Sequence, residues 1–333
     1  MKYIAFTVKG LESIASEEIK TKLAGAKILD QGPKRVIFDT NQEVGLTTLR
    51  TVDDLGFFLG SKKVSNQGQI IDLVKSIDLA KVKQADGFSL TLSFVGFGID
   101  KEELISELIK IIKDRYHWQY FRRDHSRFDL RLFLDHQQLF LSVRVTEQPL
   151  FHRSYRTNSV KGALRPTISA AMVQWASEGR QGLTVVDNFC GSGTILAESL
   201  TMGDQIYGGD ILPECLQATK TNLANLGFSA DDRVRVLDAF NSRWPDRYFD
   251  VAVSNLPWDK QIKIESVTQL YQETLKEYGR IVKNGGVICL LVAKPELFIK
   301  LAKKTFTNPE IKTIKLGYLG QNPTLVRIKA LQD

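Results

Sequence analysis

The 333-residue chain is poor in the residues that build disulfide frameworks, metal centres and membrane spans. Its three cysteines, Cys190, Cys215 and Cys289, are far apart in the sequence and form no CxxC pair, and its four histidines show no ligand spacing. No apolar run approaches the roughly 20 residues that a membrane-spanning helix requires. The opening segment, MKYIAFTVKG, also lacks the features of a secretory signal. We therefore expect a cytoplasmic protein with reduced thiols and without a disulfide framework, a bound metal or a membrane partner.

The rest of the composition is that of an ordinary folded protein. Hydrophobic residues make up 43% of the chain and charged residues 25%, which predicts hydrophobic cores rather than disorder. The length is sufficient for two domains. The net charge of +7 favours a polyanionic partner such as a nucleic acid. Charge alone does not decide the matter, because many basic proteins bind no nucleic acid.

The first 150 residues predict two mixed α/β parts, 1–65 and 66–150. In the first part, strand and helix patterns alternate, and residues 44–60 have the apolar spacing of a helix. In the second part, helical segments accompany strands with alternating apolar residues. The segment FDLRLFLDHQQLFLSVRVT, residues 128–146, predicts a hairpin that turns near His136–Gln138.

The sequence changes character after a polar and basic connector, residues 151–168. Over residues 169–333, short apolar strands alternate with amphipathic helices, which is the pattern of a parallel sheet with helices on both faces. The tail, IKTIKLGYLGQNPTLVRIKA, instead contains two consecutive strands. We expect these two strands to form an antiparallel hairpin at the edge of a seven-stranded sheet.

A glycine-rich loop follows the first strand of this alternating region, in the segment VVDNFCGSGTIL. Gly191 and Gly193 permit a tight turn and a close approach of a ligand, and the next helix is predicted to begin near Thr194. Neither the Gly-Lys-Ser/Thr of a P-loop nor the third glycine of a dinucleotide fingerprint is present. The loop therefore favours a ligand without a pyrophosphate; an ordinary strand–helix turn is the alternative.

Carboxylates end three successive strands of the same region, at Asp187, Asp210 and Asp238. Since the carboxyl ends of parallel strands share one edge of a sheet, these side chains are expected to border one crevice. An acid at the second position can hold both hydroxyls of a ribose, and one at the third can accept from an adenine amino group. A nucleoside without a pyrophosphate indicates S-adenosylmethionine. The candidate cofactor-binding residues are Asp187, Phe189, Cys190, Gly191, Gly193, Thr194, Asp210, Ile211, Asp238, Ala239 and Asn255.

The fourth strand ends in SNLPW, an unusual combination of an amide, a rigid proline and a large aromatic residue. Here the sequence resembles the amino-methyltransferases, whose corresponding motif is Asn-Pro-Pro-aromatic or a variant. Three further segments resemble one branch of these enzymes, the RNA guanine-N2 methyltransferases with an N-terminal THUMP domain. The segments are DNFCGSGTILAES, KGALRPTISAAM and the basic HRSYR. Leu256 and Trp258 depart from the usual proline and from the usual Tyr or Phe. Asp259 stands where glycine is frequent, and Asn188 stands where the loop often has proline.

The resemblance implies an α/β fold in which a class I, Rossmann-like methyltransferase domain at 169–333 follows a linker at 151–168. It further implies a ferredoxin-like subdomain at 1–65 and a THUMP RNA-binding domain at 66–150. The implied reaction is S-adenosylmethionine-dependent methylation of the N2 amine of a guanosine in tRNA, at position 6 of the acceptor stem. The implied partner is tRNA, held at its acceptor end, and we expect a monomer.

The hypothesis for catalysis assigns a role to each residue of the strand-end motif. Asn255 Oδ1 and the backbone carbonyl of Leu256 accept the hydrogens of the guanine amine and free its lone pair. Pro257 makes the turn rigid, and Trp258 stacks on the base. The alternative is a strand terminator with an Asx turn and a buried tryptophan. A covalent role for Cys190 is a further alternative, against which the Asn-x-Pro-aromatic motif argues.

Basic and aromatic residues are interleaved in KDRYHWQYFRRDHSRF, residues 113–128, a composition that suits a nucleic-acid backbone and exposed bases. The alternative is a helix end with core aromatics and solvated arginines. The connector adds further cations, among which Arg165 is alternatively a structural clamp. The candidate RNA-binding residues are Arg115, Arg122, Arg123, Arg153, Arg156 and Arg165. The competing functions are a ribosomal RNA guanine-N2 methyltransferase, a non-catalytic RNA-binding protein and a nicotinamide enzyme.

Overall fold

The computed structural model of the protein describes residues 1–82, 85–96, 98–122, 128–258, 266–318 and 320–331. The chain divides into two compact units. The first unit contains Met1–Phe6 and Ser16–Leu150, and the second contains Thr7–Ala15 and Phe151–Asp333. Within the described ranges, no helix has the length and the apolar character that crossing a membrane requires.

The N-terminal 150 residues form one mixed sheet with helices. The elements are β1 (Lys2–Phe6), α1 (Glu12–Lys22), β2 (Lys27–Gly32), β3 (Arg35–Asp39), β4 (Asp54–Lys63), α2 (Gln67–Ser76), α3 (Leu79–Val82), β5 (Gly87–Val95), α4 (Lys101–Tyr116), β6 (Gln119–Tyr120), β7 (Asp129–Asp135) and β8 (Gln138–Arg144). The eight strands lie in the order β2-β3-β1-β4-β8-β7-β5-β6. Strands from both predicted parts therefore share one sheet, and the boundary drawn at residue 65 follows a strand that pairs with β8.

The predicted helix over residues 44–60 is wrong. The structure has a short 3-10 turn at Leu46–Thr48, followed by the ten-residue strand β4. This strand pairs with β1 on one side and with β8 on the other. The hydrogen bonds of both neighbours outweigh the weak helical spacing of the segment. The predicted hairpin is confirmed, because β7 and β8 pair antiparallel and His136 adopts a left-handed φ of 54° at the turn.

Four charged side chains are buried together on neighbouring strands of this sheet. Arg131 contacts Asp54 at 2.5 Å and Asp129 at 3.0 Å, and Arg144 contacts Asp129 at 3.0 Å and Asp54 at 3.3 Å. Two cations and two anions balance, which is the condition for burying charge without a large desolvation penalty. The cluster connects β4, β7 and β8 through their side chains.

The C-terminal unit is a doubly wound sheet. Its elements are α5 (Pro166–Ser177), β9 (Thr184–Asp187), α6 (Thr194–Thr201), β10 (Gln205–Asp210), α7 (Pro213–Ala224), β11 (Val234–Val236), β12 (Phe249–Asn255), α8 (Val267–Ile281), β13 (Val282–Val292), α9 (Pro295–Thr305), β14 (Thr307–Lys315) and β15 (Thr324–Leu331). The strand order is β11-β10-β9-β12-β13-β15-β14. The first five strands of this order are parallel, and β15 and β14 are antiparallel, as predicted for the tail.

Both faces of this sheet are covered by apolar side chains, which explains the continuous apolar run in β12. Val251 and Val253 pack into the cluster that contains residues of α5, such as Met172. Ala252 packs into the opposite cluster with residues of α8 and α9, such as Leu275. A strand that is buried on both faces is expected to read as an unbroken apolar segment.

Candidate functional site

Four neighbouring strands bring the predicted site residues to one edge of the sheet. β9, β10 and β12 end at Asp187, Asp210 and Asn255, and Asp238 lies two residues beyond the end of β11. These strands are parallel neighbours in the order β11-β10-β9-β12, so their carboxyl ends lie on the same side. The four residues therefore lie along one edge of the sheet, as expected for the ends of neighbouring parallel strands.

The glycine loop turns sharply between β9 and α6. Gly191 and Gly193 have left-handed φ angles of 54° and 74°, and α6 begins directly afterwards at Thr194. A β-carbon at position 193 would lie 2.7 Å from Cγ2 of Thr219, so the loop has no room for a side chain there. The amide of Cys190 donates to the carbonyl of Gly209 at 3.0 Å. The loop is therefore held against the end of β10 and requires glycine at position 193.

Asp210 connects the glycine loop to the second strand end. Its Oδ2 accepts from the Gly191 amide at 3.0 Å, and its Oδ1 accepts from the Leu212 amide at 3.1 Å. The carboxylate thus fixes the two loops between which it lies, and a carboxylate oxygen can accept more than one hydrogen bond. Ile211 beside it is 65% exposed, although it is a large apolar residue.

Asp238 is exposed, and its Oδ1 accepts from the Phe240 amide at 2.9 Å. Phe240 is 37% exposed, and its ring meets the ring of Phe189 edge-on at 6.3 Å. Ala239, between Asp238 and Phe240 in the sequence, is half-buried. The acids at the ends of β10 and β11 are thus accompanied by exposed apolar side chains, as a flat base requires. Phe240 is not among the residues predicted from the sequence, where its signal is an aromatic residue two positions after a strand-end acid.

Asp187 is buried beneath the loop rather than presented to solvent. Its Oδ1 accepts from the Phe189 amide at 3.0 Å and from the Ser254 hydroxyl at 2.5 Å. The Ser254 and Tyr278 hydroxyls lie 2.5 Å apart, and since Ser254 donates to Asp187, Tyr278 donates to Ser254. The Tyr278 oxygen accepts from the Asn188 amide at 3.1 Å. Burial raises the pKa of the Asp187 carboxyl to about 7, while the hydrogen bonds from Ser254 and Phe189 lower it. The network ties the glycine loop to the residue that precedes Asn255.

Cys190 is a poor candidate for a nucleophile. Its side chain is buried, and its sulfur lies 3.6 Å from Oγ1 of Thr219. Burial, with a further contribution from the nearby Asp187 charge, raises the pKa of the thiol well above its ordinary value. A reactive thiolate needs the opposite environment.

Asn255 has the geometry of an oriented hydrogen-bond acceptor. Its Nδ2 donates to the carbonyl of Gly162 at 3.3 Å, which fixes the direction of the amide. Its Oδ1 is buried and has no hydrogen-bond partner within the part of the chain that the structure describes. An unsatisfied buried acceptor is unfavourable in a folded protein and often marks a ligand contact.

The other residues of the motif are less accessible than predicted. The Leu256 side chain is fully buried, its amide donates to the Leu291 carbonyl at 3.3 Å, and Pro257 is half-buried. Trp258 is only 5% exposed and packs among apolar residues such as Ile168. A ring enclosed by core side chains has no free face, so the predicted stacking by Trp258 does not fit this arrangement. Asp259 lies outside the described residues.

One of the predicted RNA-binding arginines, Arg115, has contacts within the first unit. The exposed Arg115 donates to the carbonyl of Lys75 at 2.5 Å and so closes the end of α2. Trp118 is buried and stacks on Tyr116 at 4.9 Å, as the core alternative supposed for the aromatics. Arg122 is exposed, and Arg123 lies outside the described residues.

The arginines of the connector have contacts within the second unit. The side chain of Arg153 is only 8% exposed and forms an ion pair at 3.0 Å with Glu198 of α6, which is fully buried. Arg156 donates to the Ser159 hydroxyl at 3.1 Å. The Arg165 guanidinium lies 4.5 Å above the ring of Phe151, which favours the clamp alternative. The Arg153 guanidinium neutralises a buried carboxylate, which gives this residue a structural role, and its contact with RNA stays a prediction.

The sheet order and the loop define a class I, Rossmann-like methyltransferase fold. Over 99% of both chains, the structure resembles the crystal structure of TrmN from Thermus thermophilus, with a TM-score of 0.82 and 22% identity. A structure of SMU.472 complexed with SAH covers 100% of this chain and 98% of that one, with a TM-score of 0.75 and 16% identity. The family model UPF0020 (RMKL-like, methyltransferase domain) matches residues 153–321, about half of the chain, and the chain belongs to this family.

Curated relatives with named substrates match part of the chain. The tRNA (guanine(6)-N2)-methyltransferase of Thermus thermophilus is 28% identical over 188 residues, which cover 54% of this chain and 54% of the relative. The U6 snRNA (guanine-N(2))-methyltransferase THUMPD2 of Bos taurus is 29% identical over 171 residues, which cover 50% of this chain and 32% of the relative. The ribosomal RNA large subunit methyltransferase K/L of Colwellia psychrerythraea is 26% identical over 245 residues, which cover 69% of this chain and 32% of the relative. The chain thus spans between about a third and about half of the length of these relatives.

Proposed function

We propose that this protein transfers a methyl group from S-adenosylmethionine to the exocyclic N2 amine of a guanosine in tRNA. One observation carries the proposal: Asn255 Oδ1 is a buried acceptor without a partner among the described residues, at the strand edge that also holds Gly191 and Asp210. An amine that is about to be methylated supplies the hydrogens that such an acceptor lacks. The family membership and the glycine loop support the same reaction class.

The residues present fit the cofactor. The turn at Gly193, which has no side chain, suits the methionine moiety. The half-buried carboxylate of Asp210 suits the ribose, and the exposed carboxylate of Asp238 suits the adenine. Ile211 and Phe240 add apolar surface for the base. When bound, S-adenosylmethionine supplies a methyl group on a sulfonium, which is already strongly electrophilic.

The protein's own contribution is orientation of the amine. Asn255 Oδ1 and the Leu256 carbonyl are proposed to accept its two hydrogens, which draws the nitrogen toward a tetrahedral geometry and frees its lone pair. Pro257 restricts the backbone that carries both acceptors. No strong base is needed before transfer, because the amine becomes acidic only after methylation. Most of the rate enhancement is therefore expected from positioning.

The substrate proposal draws on relatives rather than on the site alone. The Thermus thermophilus relative is named for guanosine 6 of tRNA, and we propose the same position in the acceptor stem. A paired guanine must leave the helix stack to reach a crevice of this kind. Ribosomal RNA is the second candidate, because the Colwellia relative covers 69% of this chain.

We further propose that residues 1–65 and 66–150, as ferredoxin-like and THUMP regions, capture the acceptor end of tRNA before residues 169–333 act on it. The net charge of +7 and the exposed Arg122 support an RNA partner. A cytoplasmic monomer is part of the same proposal.

The experiment is a methyl-transfer assay with the full chain, labelled S-adenosylmethionine and two substrates, tRNA and ribosomal RNA. The expected result is N2-methylguanosine, identified by mass spectrometry of nuclease digests, at position 6 of tRNA. Label in ribosomal RNA only would replace the tRNA proposal by the second candidate. Absence of any methylated guanosine, with S-adenosylhomocysteine bound, would contradict guanine methylation itself.

A further inference from the structure

The polar connector lies across the glycine loop and is held there by side chains of α6 and α7. We call residues 155–162 the connector clip. The Tyr155 hydroxyl donates to Glu198 at 2.7 Å, and Asn225 Nδ2 donates to the Tyr155 carbonyl at 3.0 Å. Cγ2 of Val160 lies 3.5 Å from the position that a β-carbon on Gly191 would occupy. The clip is therefore in contact with the loop that is proposed to bind the cofactor.

Asn222 joins the connector clip to the glycine loop. Its Oδ1 accepts from the amides of Thr157 and Asn158 at 3.1 and 3.0 Å. Its Nδ2 donates to the carbonyls of Asn158 and Ser192 at 2.9 and 2.8 Å. All four hydrogen-bonding positions of this fully buried amide are thus used, three on the clip and one on the loop. A fully satisfied buried amide strongly specifies its own position and that of its partners.

The other end of the connector clip orients Asn255. The carbonyl of Gly162 accepts from Asn255 Nδ2 at 3.3 Å, so the clip decides which way the amide of Asn255 faces. Without that acceptor, rotation about the last side-chain bond would exchange Oδ1 and Nδ2. A donor would then point where the proposed mechanism needs an acceptor.

We propose that Asn222 is a positioning residue that couples the cofactor loop to Asn255 through the connector clip. This inference depends on the proposed methyl transfer. Asn222 fixes the position of Ser192 of the loop relative to residues 157–158 of the clip. Gly162, at the end of the clip, places its carbonyl at Asn255. Cofactor binding and acceptor orientation thereby depend on the same buried amide.

The test compares Asn222→Asp with Asn225→Ala in the full chain. Asn222→Asp keeps an oxygen acceptor for the Thr157 and Asn158 amides but removes both donations from Nδ2. Asn225→Ala, just past the C-terminal end of α7, loses the hydrogen bonds to Tyr155 and Thr157, and Asn225 has no hydrogen bond to the glycine loop among the described residues. Two quantities are measured at 25 °C: the Kd for S-adenosylhomocysteine by calorimetry, and the single-turnover rate at saturating S-adenosylmethionine.

For Asn222→Asp we expect a Kd raised about tenfold or more and a rate lowered about tenfold or more, because the buried donations to Asn158 and Ser192 are both lost. For Asn225→Ala we expect both quantities to stay within about twofold of the wild type, with only a lower Tm. A merely structural role of Asn222 would lower Tm and leave both quantities unchanged, which would overturn the inference. If the wild type neither binds S-adenosylhomocysteine nor methylates RNA, the proposed function fails, and the inference fails with it.

Val160→Ala keeps the inference testable if Asn222→Asp does not fold. It shortens a half-buried side chain that packs on Gly191 and leaves every hydrogen bond of Asn222 in place. We expect both quantities to worsen about fourfold, in the same direction as for Asn222→Asp. Wild-type values in this variant, together with an unfolded Asn222→Asp, would overturn the inference.

Discussion

Asp187→Asn is expected to stabilise the protein above neutral pH and to change little near pH 4. Burial raises the pKa of the Asp187 carboxyl to about 7 in the folded state, whereas an unfolded chain has an ordinary pKa of about 3.9. Between these two values the folded state binds the additional proton and unfolding releases it. The free energy of unfolding contributed by this group is therefore highest below the unfolded pKa and falls as the pH rises to the folded pKa.

The magnitude follows from the difference of about three pKa units, which corresponds to on the order of 4 kcal/mol. Asparagine is a suitable replacement because Oδ1 of Asp187 accepts from both Phe189 and Ser254, and an amide oxygen can accept the same two bonds. It removes the titration and keeps the geometry.

The assay is urea unfolding of the wild type and of Asp187→Asn without cofactor, at about pH 4 and about pH 8. The variant is expected to be more stable than the wild type at the higher pH by a few kcal/mol, in line with the raised pKa. At the lower pH the two are expected to agree closely. Equal midpoints at the higher pH would refute the argument that Asp187 is held in a desolvated site.

Three further outcomes are expected. Gly193→Ala should destabilise the protein by about 1–3 kcal/mol and weaken S-adenosylhomocysteine binding, because its β-carbon would meet Thr219 and its φ is left-handed; an unchanged Tm would contradict this. Asp129→Ala should lower the free energy of unfolding by about 3–5 kcal/mol in urea titrations, since it leaves two buried arginines, Arg131 and Arg144, with Asp54 as the one remaining carboxylate of the cluster; a loss below about 1 kcal/mol would mean that the cluster is well solvated. Cys190→Ala should retain measurable methyl transfer, whereas complete loss with cofactor still bound would restore the covalent alternative.

The alternating pattern of the C-terminal half predicts its sheet because both faces are buried and each strand is short and apolar. Residues 44–60 are different, since β4 has helical spacing and is held by pairing with β1 and β8. Such pairing joins residues distant in the chain, which a local pattern does not reveal. For the same reason, the local pattern of the first 150 residues does not reveal that their eight strands share one sheet.

The strand-end residues are predictable because parallel topology alone brings Asp187, Asp210, Asp238 and Asn255 to one edge. Their surroundings are not predictable in this way. The burial of Trp258 depends on side chains from several elements, and the role of Arg153 depends on the buried Glu198 that lies 45 positions further along the chain. The sequence shows that a residue is charged, but not which distant residue pairs with that charge in the fold.

The most direct test of the proposed chemistry is the single-turnover rate of methyl transfer to tRNA by Asn255→Ala at saturating S-adenosylmethionine. If the unpartnered Oδ1 receives the guanine amine, the rate should fall on the order of 100-fold or more, as when one oriented hydrogen-bonding group is lost from a transition state. The Kd for S-adenosylhomocysteine should stay close to that of the wild type. A variant that methylates at the wild-type rate would contradict the role of this amide.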